Sequence, residues 1–202
     1  EGTAGVKAES KRECVSVKAD RNLVITGAKG TDVVLEAAGS LTAEELKATG
    51  KVSAMVENDI RITNNTGAAF KDLVSRKGGI DLVINGNISI DHLAAPGLVN
   101  MTSTGQIQAA AEGTLKLGGL KADDRIQLTA SGDIVNGIPD QSSTVNVSAE
   151  EISLRTDGNI GAKDNALLTE AREAALAAEN IYLKNQGSLN LRKAEAAADM
   201  EL

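Results

Sequence analysis

The sequence predicts an all-β protein: a right-handed parallel β-helix whose rungs of about 19–29 residues carry loop excursions. Three observations predict it. A nine-residue phrase recurs eight times along the 202 residues. The apolar residues that could fill a core are almost all Val, Ile, Leu and Ala, with one Tyr (Tyr182), one Phe (Phe70) and no Trp. Glycine is abundant, at 20, where proline is scarce, at 2.

The phrase has apolar residues at its first, third and ninth positions and usually glycine at its seventh. It reads VSVKADRNL from Val15, VVLEAAGSL from Val33, VSAMVENDI from Val52, IDLVINGNI from Ile80 and VNMTSTGQI from Val99. It returns as IQLTASGDI from Ile126, ISLRTDGNI from Ile152 and IYLKNQGSL from Ile181, and six of the eight copies have the glycine. Apolar residues two apart point to one face of a strand. The glycine is expected to supply a left-handed or strained turn. The apolar residue two places later then opens the next inward-facing strand. Intervals between starts are 18, 19, 28, 19, 27, 26 and 29 residues, a short class near 19 and a long class near 28. One phrase per rung would stack Val15, Val33, Val52, Ile80, Val99, Ile126, Ile152 and Ile181 into a single ladder. A second ladder would hold Val17, Leu35, Ala54, Leu82, Met101, Leu128, Leu154 and Leu183. The long intervals would then be excursions, at roughly Thr63–Gly79, Ala109–Lys121, Val135–Val145 and Gly161–Ala174.

A core without aromatic rings suits thin stacked layers better than a broad globular interior, since large rings bury the most area per residue. Each buried Val, Ile or Leu contributes on the order of 1.5–3 kcal/mol, and an isolated turn has nothing to pack against, so stability comes from the stack. Handedness follows from the general preference for right-handed crossovers, not from spacing. Two segments have helix-forming composition, Thr42–Ala48 and Asp164–Asn180. In the second, Ala175, Ala177, Ile181 and Leu183 keep a period of two, which favours strand with a short helical excursion as the alternative.

The formal charge of −7 and pI near 4.9 offer no basic stripe for nucleic acid. No apolar run approaches the roughly 20 residues that span a bilayer. The chain begins at Glu1 with neither an initiator Met nor a signal sequence, and is read as one solenoid, residues 1–202, from the interior of a longer protein. Cys14 stands alone and cannot form an internal disulfide.

The stretch GNIGAKDNALLTEAREAALAAENIYLKNQGSL from Gly158 resembles the repeats of filamentous-haemagglutinin-like and leukotoxin-like large bacterial adhesins. In that family a Gly-x-Ile-Gly is followed by Asn-x-Leu, a strand ending Ile-Tyr-Leu and another Gly-x-Leu. GDIVNG at Gly132 and GQIQ at Gly105 fit the same grammar, and the similarity covers roughly Val15–Leu191. The resemblance implies a passenger of Gram-negative bacteria, exported through an outer-membrane secretion partner and displayed on the cell surface or released. It implies contact with a host cell surface, matrix protein or glycan, while the charge argues against a nucleic-acid partner and the lack of a long apolar run against membrane insertion. The family's secretion domain and toxin modules have no counterpart here, so the segment reads as shaft.

Candidate chemistry is sparse. Asn-x-Ser/Thr sequons occur at Asn64, Asn87, Asn100 and Asn146; some members of the family are glycosylated on such sequons, but Asn, Ser and Thr also suit solenoid turns. His92 has no second histidine to share a metal and no evident nucleophile. Acidic pairs at Glu44–Glu45, Asp123–Asp124 and Glu150–Glu151 would point to opposite faces of a strand. No catalytic, cofactor or metal residue is therefore assigned, and no enzyme activity is expected. Two other readings compete with the shaft: a polysaccharide-active β-helix, which would need carboxylates converging on one face, and a self-assembling filament module, which would favour rungs of constant length.

Overall fold

The computed structural model describes residues 6–10, 13–138 and 144–202. These form a single parallel β-solenoid of about ten turns, each of roughly 19 residues. The strands are β1 (Val6–Glu9), β2 (Val15–Ala19), β3 (Leu23–Gly30), β4 (Val33–Ala37), β5 (Leu41–Glu44), β6 (Leu46–Ala48) and β7 (Val52–Val56). They continue with β8 (Ile60–Asn64), β9 (Ala68–Ser75), β10 (Ile80–Ile84), β11 (Ile88–Ala94), β12 (Leu98–Ser103), β13 (Ile107–Ala111) and β14 (Leu115–Ala122). The last are β15 (Arg125–Ala130), β16 (Ile134–Asn136), β17 (Val147–Thr156), β18 (Leu167–Ala178), β19 (Ile181–Asn185), β20 (Asn190–Ala196) and β21 (Met200–Glu201). Every strand pairs in parallel with its equivalent one turn along, and every second side chain enters a core in which Val33, Leu35, Ile62, Leu82, Val99, Leu117, Ile126 and Ile152 are fully buried.

Both segments of helix-forming composition are strand. Leu41–Glu44 and Leu46–Ala48 are β5 and β6, bent apart at Glu45, which has φ +49°. Leu167–Ala178 is the longest strand of the solenoid, paired with β17 from Val147↔Thr169 to Arg155↔Ala177. Its alternating burial outweighs the intrinsic preference of Ala, Glu and Leu for helix, as tertiary context commonly does.

The expected single ladder is not what forms. Val15, Val33 and Val52 do stack in register, but the next residue above Val52 is Phe70, not Ile80. Ile80 continues a different ladder, Leu23–Leu41–Ile60–Ile80–Val99–Leu117. Ile126 continues a third, Ala68–Ile88–Ile107–Ile126–Ile152–Ala174–Leu191. Ile181 stacks on Ile160, which stacks on Ile134 and Leu115.

The phrase thus moves around the solenoid. First and ninth positions are eight residues apart, one corner of the rung, so an interval of 27, 28 or 29 is one turn of 19–21 residues plus one corner. Ile60 to Ile80, Ile107 to Ile126 and Ile160 to Ile181 are those turns. Of the long intervals, only the 26-residue one, Ile126 to Ile152, joins register partners directly and so contains an inserted loop. Of the four expected excursions, Thr63–Gly79 and Ala109–Lys121 are ordinary rung, holding β9 and most of β14. Val135–Val145 contains the insertion, partly outside the described residues. Gly161–Ala174 is a short turn closed by Ala162 and Asn165, followed by the start of β18.

The phrase glycines also serve a purpose other than the expected one. Gly86 and Gly187 have positive φ, but Gly39, Gly105, Gly132 and Gly158 do not. At these four a Cβ would collide with the rung below: with Asn22 Oδ1, Asn87 Oδ1, the Gly113 backbone and Asp133 Oδ1. The Asn and Asp side chains stand there because each accepts a hydrogen bond from the backbone of the next turn, Ser40 N to Asn22 (2.9 Å), Gln106 N to Asn87 (3.0 Å) and Asn159 N to Asp133 (2.7 Å). Inter-rung bonding at the corner takes the space of a side chain, and glycine leaves it free.

Candidate functional site: a histidine between two carboxylates

On β11, Ile90 and Leu93 are both buried, so the two residues between them, Asp91 and His92, must turn outward together. On β9, Phe70 and Leu73 impose the same bend on Lys71 and Asp72. His92 is the register partner of Asp72, and Glu112, directly after β13, donates its backbone N–H to Leu93 O (2.9 Å) one turn further on. Three successive rungs thereby place Asp72, His92 and Glu112 in a column along the outside of the solenoid.

The imidazole lies between the carboxylates, with Nδ1 3.2 Å from Asp72 Oδ1 and Nε2 3.0 Å from Glu112 Oε2. Ser53 Oγ, one rung below, donates to Asp72 Oδ2 (3.2 Å). Only the doubly protonated ring offers an N–H to both acids. The hydrogen bond to Glu112 is the main cause that lifts the His92 pKa above the ordinary 6.5; partial burial opposes it, and Asp72 adds to it. A doubly protonated imidazole has no lone pair with which to act as a general base. The serine donates to the aspartate and not to the histidine, so the order of contacts does not build a nucleophile relay.

Elsewhere several carboxylates are tied to cations, to backbone or to a side-chain amide. Arg125 Nη2 meets Glu151 Oε2 at 2.6 Å, Arg192 bridges Glu151 and Glu173, and Arg172 Nη1 lies 3.1 Å from Glu150 Oε1. Glu150 and Glu151 do not point to opposite faces, because β17 bends there and both lie outside the core. Asp124 accepts from Gln106 Nε2 at 2.5 Å. Among the described residues no three His, Cys, Asp or Glu side chains are grouped to hold a metal ion. Cys14 is exposed just before β2.

The sequons divide by burial. Asn64 and Asn146 are buried, with Asn64 Nδ2 donating to Leu46 O (3.1 Å) and Thr66 O (2.8 Å), and Asn146 Nδ2 to Leu117 O (3.2 Å) and Asn136 Oδ1 (2.9 Å). Neither amide is open to modification in the folded chain. Asn100 is half-buried, and Asn87 is exposed at a corner.

Shallow grooves run along the corners, one of about 600 Å³ past Arg61, Gly78, Asp81, Gly97 and Asn100, another of about 680 Å³ past Asp123, Glu150, Glu170, Arg172 and Gly187. In both, glycines leave part of the corner bare, and among the described residues neither groove is enclosed. No family model matches the chain, and neither curated proteins nor solved structures yield a match.

Proposed function

We propose that this chain is a shaft segment of a secreted filamentous adhesin displayed on the surface of a Gram-negative bacterium. The observation that carries the reading is a regular step interrupted by one insertion: register partners within β1–β16 differ by 18–20 residues, whereas β14 and β15 meet β17 at 26–27, which disfavours a self-assembling module of constant rungs. A solenoid of constant step gains length by adding rungs without changing its core, and it folds through contacts between neighbouring turns, which suits export from one end. The resemblance of Gly158–Leu189 to adhesin repeats supplies the biological setting, an outer-membrane secretion partner and a host surface, matrix protein or glycan as target.

Adhesive contact falls where the constant step is broken, at the insertion between Asn136 and Val147 and the turn Gly161–Ala166, whose Lys163 and Asp164 are exposed. Two measurements test the proposal. Antibodies raised to the folded chain should label intact cells of the producing organism, and labelling confined to broken cells refutes surface display. Saturable binding to epithelial cells, matrix proteins or a glycan array that weakens in Lys163→Ala/Asp164→Ala locates adhesion in this segment. Absence of binding assigns it to spacing alone.

A further inference from the structure

The Asp72–His92–Glu112 column is independent of the adhesin reading, and its geometry spans three rungs at the bend where each strand turns its corner. We infer that it is a proton-dependent clip, closed in acid and released as His92 loses its proton, which sets how easily these rungs separate locally at the bend.

The argument rests on who faces the ring. On β9 the charged residues are Lys71 and Asp72; on its own strand, Asp91; β13 contributes none, and Glu112 follows it directly. Asp91 is engaged by Lys51 across the surface, which leaves Asp72 and Glu112 as the acids at the two ring nitrogens. The imidazolium donates to both, joining the rung below to the rung above through one side chain. The neutral ring keeps one N–H, so one carboxylate then faces a nitrogen lone pair and that half of the column is lost. On the β13 side the backbone ladder is shifted in register between Ile90 and Leu93, so the His92–Glu112 half of the column bridges an irregular step, while the pairing of β11 with β9 below stays in register.

The sign follows from linkage. The folded-state pKa of His92 is raised above the ordinary 6.5, so the clip's contribution is complete below that value and disappears as pH rises through the higher folded-state value. The groups are partly exposed, so the effect is local and is screened by salt.

The test is an NMR titration of the His92 ring protons in the intact chain, with hydrogen exchange at Glu112 and its neighbours on either side of the transition. The expected result is a midpoint above 6.5 that falls in both Glu112→Gln and Asp72→Asn, with protection at Glu112 (corrected for intrinsic exchange) several-fold higher at the acid side. His92→Gln, which keeps a polar side chain at the bend, should remove that pH dependence and leave distant rungs unchanged. A wild-type midpoint at or below 6.5, or a pH dependence of protection that persists in His92→Gln, overturns the proposal.

Discussion

From β2 to β15 the solenoid and from β16 to β19 the solenoid solve the same packing problem differently. In the first stretch each rung repeats the last at 18–20 residues, and the core ladders are mostly Val, Ile, Leu and Ala, joined by Phe70 and Met101 and, beside Ile84, by buried Asn64 and Ser103. In the second the step becomes 26–27 residues at the insertion, 22 between β17 and β18, and 16 between Leu167 and Leu183. There the ladder through Val99 and Leu117 ends at Asn136, and the ladder through Met101 and Leu120 passes to Val147 and Thr169.

Polar groups replace the missing apolar contacts. Asn146, fully buried, joins Leu117 O, Asn136 Oδ1 and Leu168 N, and Asn136 in turn donates to Asn165 Oδ1 (2.9 Å). Both stems of the insertion and the following turn meet in this one network. Where rungs match, apolar burial carries most of the register, with single side chains such as Asn64, Ser75 and Ser103 bonding a backbone carbonyl of the rung below. Where a rung is longer than its neighbours, stranded backbone groups need side-chain amides, because an unpaired buried polar group costs more than a lost apolar contact.

The largest expected effect lies in the regular stretch. Leu82→Ala, in the middle of its ladder, should destabilise by about 2–5 kcal/mol, read as a lower denaturant midpoint. Asn146→Ala should cost about 1–3 kcal/mol by leaving Leu168 N unpaired and removing the second of two donors to Leu117 O, which keeps its bond from Gly137 N, although it removes no large apolar group. An effect near zero there would show that matching of rungs, and not the amide network, holds the insertion in place. Gly105→Ala should cost about 1–3 kcal/mol through its collision with Asn87 Oδ1, and the double variant with Asn87→Ala should recover part of it. Additive losses in that cycle would contradict the account of the corner. The smallest effect is expected at Leu191→Ala, below about 1 kcal/mol, because Leu191 on the last full rung is 38% exposed.

The repeat, the strand alternation and the parallel stacking were legible in sequence because inward Val, Ile and Leu obey a period of two and the corner glycine marks each turn. The rung length was not. The phrase is a corner motif, and a rung has more corners than recognisable phrases. IQAAAEGTL from Ile107 satisfies all four positions, and counting it would have split the 27-residue interval into eight and 19. The corner after Ile60 hides because its glycine, Gly67, falls one place late. The histidine column could not be seen without the step: Asp72, His92 and Glu112 are 20 residues apart, a spacing that means nothing until the turn length is known. The burial of Asn64 and Asn146 depended likewise on which face each strand presents.

Cross-linking tests the stacking order most directly. In a Cys14→Ser background, Arg61→Cys/Asp81→Cys places cysteines on register partners of adjacent rungs, about 4.8 Å apart and within disulfide range. Ser53→Cys/Asp81→Cys places them where a one-phrase-per-rung ladder would pair Val52 with Ile80. Rapid oxidation of the first pair and none of the second is the predicted result, whereas cross-linking of the second would mean that the 28-residue interval is a true rung and the constant step is wrong.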